Sequence, residues 1–389
     1  MRWSLVNLNE LIELEYGESL PEAKRDPNGR VPVLGSNGIV GYHSHGIVKG
    51  PGIVVGRKGS AGKVVWCDTD FWPIDTTYFV KFKANTDPRW AFYLLQHLSL
   101  ERLAIITGVP GLNRNDAYNL KAPAVPLAEQ RRIVEILDQA DRLRKLRRQS
   151  DAIAERILPA LFYKMFGDPV RNEKGWKKES LGEHARVQGG FAFKSDDFQM
   201  DGILLVRIGN LKDERISANG EAAYLPEHYL SEYAEYRLNA GDILIALTGA
   251  TTGKLARYVQ TDPPALLNQR VGRVQMKRGS MLRPDYLYFI MKSQHAQSYI
   301  WQHARGFGQP NIAPRQIQEY EIPIPPVELQ AEFEAKCKQI YQIRETARDS
   351  GRLHESTFNV LLHRAFTGEL TKRWREKNAA LHGQQQEER

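Results

Sequence analysis

The chain has 389 residues, with 54 Lys+Arg against 46 Asp+Glu for a formal net charge of +8, and 42% hydrophobic content. At roughly 150 residues per domain, that length predicts two or three domains with cores of their own and excludes a single small domain. The basic balance suits a polyanionic partner without identifying one.

No apolar run approaches the ~18 residues of a membrane span. The start, Met1-Arg2-Trp3-Ser4, has no cationic segment followed by an apolar one and a small-residue cleavage site. Membrane insertion and signal-directed secretion are therefore not expected. Cys67 and Cys337 lie far apart without a CxxC pair, which leaves neither a disulfide framework nor a Cys-rich zinc site. The expected setting is a reducing cytoplasm.

In chain order, a Trp-containing segment from Trp3 to Leu8 leads into short apolar runs broken by Gly, Pro, Asn and Asp, which are strand and turn signals. Examples are GPGIVVGRKGSAGKVVW over 50–66 and TTYFVKF over 76–82. The amphipathic stretch Trp90 to Leu98 reads as a helix. Pro123 and Pro126 then introduce a long helical pattern, proline being tolerated where the first turn leaves an amide unpaired anyway. Its apolar positions Ile133, Leu137, Ala140, Leu143, Leu146, Ile153, Ile157 and Leu161 keep a spacing of three or four apart from one polar turn around Ser150. Such a stripe predicts a two-helix packing seam. Pro159 predicts a kink or an end nearby.

The second half repeats the plan. Trp176 to Leu181 opens it, GILLVRIGN (202–210) and GDILIALTG (241–249) read as strands, and Tyr286 to Lys292 as a helix. Pro323, Pro325 and Pro326 precede a second stripe of Phe333, Cys337, Ile340, Ile343, Ala347, Leu353, Phe358, Leu361 and Ala365. The closing segment ends in a polar, Gln- and Glu-rich run that builds no core and is expected to be mobile.

The halves are one sequence used twice. Trp3 and Leu8 recur 173 residues on as Trp176 and Leu181, and Gly62-Lys63 recurs 191 on as Gly253-Lys254. From residue 108 the offset settles at 200: Gly108, Pro110, Pro123, Pro126, Gln130, Gln139 and Phe166 match Gly308, Pro310, Pro323, Pro326, Gln330, Gln339 and Phe366. The drift from 173 to 200 places all 200 − 173 = 27 extra residues of the second half between about 181 and 308. A period this long is not a solenoid unit; it means two duplicated lobes. The expected fold is α+β, with two mixed α/β lobes (1–125 and 168–325), two long antiparallel coiled-coil helices (126–167 and 326–368) and a tail (369–389), arranged as a pseudo-twofold dumbbell. At about 1.5 Å per residue such a helix pair spans roughly 55 Å. The alternative is that each helix folds back on its own lobe.

Motifs for catalysis fail on inspection. A phosphate loop needs GxxxxGK followed by Ser or Thr, whereas Gly249 to Gly253 encloses three residues and Leu255 or Val64 follows the lysine. Asp262 to Ala265 is similar to the Asp-Pro-Pro-aromatic motif that holds a flipped adenine, but Ala265 replaces the aromatic. Pro284-Asp285 with Glu334 and Lys336 mimics a nuclease signature, with the latter two on a long helix instead of a strand. His43-x-His45 has no further spaced ligands, so no metal site is expected. Nothing assembles nucleophile, base and orienter.

Polar and basic residues gather in the lobes instead. The DNA-binding candidates are Asn37, Arg57, Lys58, Ser60 and Lys63 in the first, and Arg207, Asn210, Lys212, Thr251, Thr252, Lys254, Asn268, Gln269 and Arg270 in the second. Arg and Lys suit guanine edges and phosphates; Asn and Gln suit adenine. The run Arg142 to Arg148 reads as a solvated helix face in preference to a phosphate contact.

Two variable lobes alternating with helices introduced by PLAEQ (126–130) and PPVELQ (325–330), with helix endings ALFYKMFGDP (160–169) and LLHRAFTGEL (361–370) and the segment GQPNI (308–312), resemble the specificity subunit of type I restriction-modification systems. The resemblance covers residues 1 to about 375. Departures are Gly111 against Asn311, and Leu329 against Glu129. It implies that each lobe is a target recognition domain for half of a split, asymmetric sequence in double-stranded DNA, with the helices setting the gap. It also implies that two methylation (M) subunits dock on the helices, with Ile133, Leu137, Leu143, Ile340, Ile343 and Leu353 as the candidate partner-binding residues. Those subunits would carry S-adenosylmethionine and the adenine chemistry, and two restriction (R) subunits would add ATP- and Mg-dependent translocation and cleavage. This chain would hold no cofactor and no catalytic residue of its own. The competing readings are a self-contained DNA-modifying enzyme and a structural coiled-coil adaptor.

Overall fold

The computed structural model describes residues 3–105, 108–212, 214–218, 222–259, 262–304 and 308–378. The chain divides into two compact units, Met1–Gln149 with Arg348–Arg389, and Ser150–Ala347. The division leaves each lobe whole and falls within the two long helices. Each unit takes a lobe, the start of the long helix that follows it, and the end of the other long helix. Among the described residues no helix is long and apolar enough to cross a membrane.

The first unit holds a four-stranded antiparallel sheet in the order Ile12–Tyr16, Thr77–Phe82, Gly52–Gly56, Val64–Cys67. A three-stranded sheet, Gly38–His43, Val31–Gly35, Trp72–Pro73, has its last pair parallel. Alternate residues Ile12 and Leu14, Ile53 and Val55, and Tyr78 and Val80 enter one core, as the two-residue strand period requires. The helix Pro88–Leu98 lays Trp90, Tyr93 and Leu94 on that core; Asp87 caps it by accepting from the Arg89 and Trp90 amides at 2.9 and 3.0 Å.

The second unit repeats this frame. Its sheet runs Ala185–Gly189, Val271–Met276, Ile243–Ala246, Leu255–Arg257, extended by Arg215–Ile216 and Leu211–Lys212. Ala223–Leu225, Ile203–Val206 and Ala265–Leu267 form the three-stranded partner, again with one parallel pair. The two strands that the Ser36-Asn37 turn joins in the first unit are separated here by residues 207–222, which carry the sheet extension. A second insertion adds the helix Gln294–Ala304, where the first unit has only the short turn Leu100–Leu103. The surplus residues thus fall on lobe connections and leave the shared frame intact.

Each long helix is tied to its lobe by one buried glutamine. Gln130 donates to the carbonyls of Val125 (2.7 Å) and Asn85 (2.9 Å) and accepts from the Asp87 amide (2.7 Å). Gln330 donates to Pro325 (2.9 Å) and Met281 (3.1 Å) and accepts from Arg283 (2.9 Å). Relative exposures are 1% and 0%. A carboxamide offers one acceptor and two donor hydrogens, and each Gln uses both functions on lobe backbone.

The helices Leu127–Phe166 and Val327–Thr367 match the predicted patterns, but their stripes have two fates. In the first unit Ile133 and Leu137 join Phe358, Ala365 and Phe366 in the lobe core. In the second, Phe333 and Cys337 join Leu158, Phe162 and Phe166. Burial pushes the Cys337 thiol up to about 12, which leaves it inert. Leu143, Ile153, Ile343 and Leu353, in contrast, are more than half exposed. Ile133 and Leu137 are therefore core residues and not the partner contacts expected of them. Of the two expectations for helix packing, the antiparallel pair holds and the fold-back on one lobe does not: each helix starts on its own lobe and ends in the other unit, and in the first unit the segments run antiparallel, with Glu129 bonded to Thr371, and Arg144 over the Phe358 ring at 3.8 Å. The helix does not end at Pro159. It continues to Phe166 because Leu158 and Phe162, on either side of the missing hydrogen bond, are anchored in the core.

The Glu129 departure has a physical cause. Its buried carboxylate accepts from the Trp3 indole (3.0 Å), the Thr371 hydroxyl (2.5 Å) and Arg375 (2.6 Å), joining both ends of the chain to the first long helix. In the second unit the corresponding path from Phe166 to Trp176 is continuous chain, braced by Asn172, so Leu329 packs on the core instead. In the expected mobile tail, Thr371 is consequently buried and Arg375 half-buried, with 372–378 helical; 379–389 lie outside the described residues.

Replacing Gln130 or Gln330 by alanine strands two carbonyls and an amide, so each variant should lose about 2–4 kcal/mol in chemical denaturation. The two sites lie in separate units, so the double variant should lose the sum to within about 0.5 kcal/mol. Losses near zero would contradict the role assigned to these side chains.

Candidate nucleic-acid interface

In the first unit the strands Gly52–Gly56 and Val64–Cys67 are joined by a turn that holds Arg57, Lys58, Ser60 and Lys63. The Gly62 amide bonds to the Gly56 carbonyl at 2.8 Å and the Gly56 amide to the Lys63 carbonyl at 2.8 Å. Gly62 has φ +84°, and a Cβ there would meet the Glu101 amide nitrogen at 2.3 Å, so this position admits only glycine. Lys63 reaches across to donate to Asn37 at its side-chain oxygen (2.5 Å) and its carbonyl (3.1 Å), which brings the Ser36-Asn37 turn to the same edge. Arg57 donates to the Asp75 carbonyl at 3.1 Å, and its guanidinium lies 5.2 Å from the Tyr16 ring centre.

Sequence reasoning missed two members of this edge. Arg114 stacks on the same half-exposed Tyr16 ring at 5.0 Å, from the start of a short helix. Beneath them Tyr78, pushed up to about 12 chiefly by burial and then by Tyr16, stays neutral and donates to the Leu112 carbonyl at 3.1 Å. Arg57, Lys58, Lys63 and Arg114 make a cationic edge with an aromatic ring set in it, suited to a phosphate backbone with bases beside it. Nothing in the spacing signals that Tyr16 and Arg114 meet, because 98 residues separate them.

The second unit builds the same turn. The Gly253 amide bonds to Ala246 at 2.8 Å, the Ala246 amide to Lys254 at 2.9 Å, and the Lys254 amide to Thr251 at 2.9 Å. Thr251, Lys254, Lys212, Gln269 and Arg270 are exposed; Arg207 and Asn268 are half-buried. Arg270 flanks the turn, its carbonyl accepting from the Leu247 amide at 2.9 Å. Two candidates are corrected. Asn210 is buried, its side chain accepting from the Arg207 amide (2.9 Å) and donating to the Ser217 carbonyl (3.0 Å). Thr252 is buried with its hydroxyl on the Gly249 carbonyl at 2.7 Å. Both hold turns together and face no ligand. Next to Asn268 and Gln269 stands the exposed Phe191, with ring centres of Phe193, Tyr233 and Tyr236 at 5.0, 4.9 and 5.5 Å; it too escaped the sequence reading.

The apparent catalytic motifs are structural. Asp262 closes a turn onto the Val259 amide at 2.7 Å and Ala265 is buried in a strand. Asp285 binds Arg257, Glu334 binds Arg283 at 2.5 Å, and Lys336 binds Glu332 at 3.4 Å. The His43 and His45 rings pack against Trp72. Among the described residues one group has metal-ligand geometry, Glu179, Glu183 and His184, and the Lys177 ammonium closes it at 2.7 Å from Glu179. In the basic run, Arg144 and Lys145 are bound to Asp141 at 2.6 and 2.9 Å and Arg148 to Glu355 at 2.5 Å.

Two copies of one frame, each presenting a polar turn at the sheet edge, define a duplicated recognition protein, and sequence comparison gives the class. The family described as the type I restriction modification DNA specificity domain matches residues 2–155 and again 173–345, and the chain belongs to it. The MjaVIII specificity subunit of Methanocaldococcus jannaschii is 26% identical over 279 residues, covering 68% of this chain and 65% of that subunit, so the match spans just under two thirds of that relative's length. The EcoBI specificity subunit of Escherichia coli is 22% identical over 364 residues, covering 85% of this chain and 76% of the relative. The S subunit structure from M. genitalium superposes with a TM-score of 0.63 at 17% identity, over 94% of this chain and 96% of that one. That likeness is one of fold.

Since Asn210 is structural, Asn210→Ala should cost about 1–3 kcal/mol of stability. Lys254→Ala, at an exposed edge, should stay within about 0.5 kcal/mol of the parent in the same urea titration. A reversed order would contradict the division between frame and edge.

Proposed function

We propose that this chain is the non-catalytic DNA specificity subunit of a cytoplasmic type I restriction-modification complex, in which each lobe reads one half of a split, asymmetric target in double-stranded DNA. The observation that carries the reading is the equivalent turn built twice on one backbone with different side chains: Lys58 and Ser60 in the first lobe, Thr248 and Thr251 in the second. A common frame presents its edge to the double helix in one way, while unlike side chains select unlike bases. Among the remaining candidates, Asn37, Lys63, Arg207, Lys212, Lys254, Asn268, Gln269 and Arg270 supply contacts to phosphates and base edges.

The long helices act as the spacer. The first has 40 residues and spans roughly 60 Å at about 1.5 Å per residue. Readers held apart by such an element recognise half-sites at a fixed separation and helical phase. Leu143, Ile343 and Leu353 on their exposed faces, with the half-buried Ile340, are the contacts for two methylation subunits. Those subunits bring S-adenosylmethionine and the adenine chemistry, and two restriction subunits bring ATP- and Mg-dependent cleavage.

Exchange of residues 1–125 for the corresponding lobe of another specificity subunit, followed by mapping of methylated adenines, tests the reading. One half of the recognised motif should change and the other persist. A change in both halves, or in neither, would overturn it, and methyl transfer by the purified chain alone would point to a self-contained enzyme.

A further inference from the structure

We propose that Val109 and Gln309 are equivalent base-reading positions, Val109 contacting the C5 methyl of a thymine and Gln309 the major-groove edge of an adenine. This rests on the DNA-reading function above and assigns residues outside the basic turns.

The backbone fixes the equivalence. In the first unit the Gly59 amide bonds to the Pro110 carbonyl at 2.9 Å and the Leu112 amide to Arg57 at 2.9 Å. In the second, the Gly249 amide bonds to Pro310 at 2.9 Å and the Ile312 amide to Leu247 at 2.9 Å. Lys58 bridges Gly111 as Thr248 bridges Asn311. Gly108 and Gly308 both take left-handed φ, +91° and +105°, with open space where a Cβ would lie, so both loops reverse at the same point. Each loop is therefore strapped at residues 110–112 or 310–312 to the turn that carries the candidate DNA contacts, which holds residue 109 or 309 beside it.

The side chains at these positions contribute little to the fold. Val109 is 71% exposed beside a cationic edge, and Ile105, also exposed, is its apolar neighbour on the bridged strand. Gln309 is exposed, its amide nitrogen lies over Gly249, and it makes no hydrogen bond among the described residues. Val109 has no donor for a phosphate, and Gln309 lacks the charge that makes phosphate contacts strong; what both offer is base chemistry, and loss of a phosphate contact from Gln309 would lower affinity evenly across sequences. A carboxamide pairs bidentately with adenine N6 and N7, and a branched apolar group packs on the thymine methyl. One backbone thus displays two different readers, as two unequal half-sites require.

The test uses the complex reconstituted with its methylation subunits. Val109→Gln should alter one base position in one half of the methylated motif, and Gln309→Val one position in the other half; the unaltered half in each shows that the protein is folded. Binding to target duplexes in which single thymines are replaced by deoxyuridine adds a second reading. One replacement should weaken the parent roughly tenfold and leave Val109→Ala unaffected. Motifs unchanged in both variants, with affinity lowered evenly across sequences, would overturn the proposal. If the lobe exchange shifts a half-site while these variants do not, this proposal alone falls; if the exchange shifts nothing, the DNA-reading function falls with it.

Discussion

The architecture depends on a buried carboxamide used twice. Gln130 and Gln330 sit in the first turn of the long helices and bind three equivalent backbone groups of their lobes, two at the loop before a lobe helix and one at the proline segment before the long helix. Because each bond goes to main chain, the lobe's side chains are free to vary without disturbing the joint. That is the condition for a reader whose lobes diverge while their attachment to the helices stays fixed.

Elsewhere the frame tolerates inversion of chemistry. In the first unit Arg89 lies over Trp66 at 4.9 Å and donates to Asp138 of the long helix at 2.8 Å. At the equivalent positions in the second unit Trp66 becomes Arg257 and Arg89 becomes Asp285, and these two pair with each other beneath Tyr341 of the long helix. Removing one partner of Arg257–Asp285, both mostly buried, strands a charge against the core at about 3–5 kcal/mol, so that pair has to change as a set; Asp138 is nearly half exposed, and its loss costs less. Glu129 and Leu329 make the same point: the carboxylate fastens Trp3 and Arg375, which are distant in sequence, while an apolar side chain suffices where residues 166–176 run on without a break.

The repeat carried most of what the sequence disclosed. Offsets of 173, 191 and 200 gave the two lobes, their helices and the equivalence of the Gly-Lys turns, and the hydrogen bonds at Gly62 and Gly253 bear that equivalence out. Spacing did not reveal which part of each stripe is core, since Ile133 and Leu143 obey one period yet only the first meets a lobe. Nor did composition separate Asn210 and Thr252, which close turns with their side chains, from Lys254, which projects; the residue types that bind bases are also those that bond to backbone. Tyr16, Arg114 and Phe191 were hidden for another reason, because their neighbours come from distant parts of the chain.

The central proposal is that one frame, used twice, reads two unlike halves of one target at a fixed spacing. Sequencing of methylated adenines in a host that expresses this chain with its cognate methylation subunits addresses it most directly. The account predicts a single motif of two different short halves separated by a constant number of unspecified bases. A continuous or palindromic motif, or a gap that varies from site to site, would contradict it.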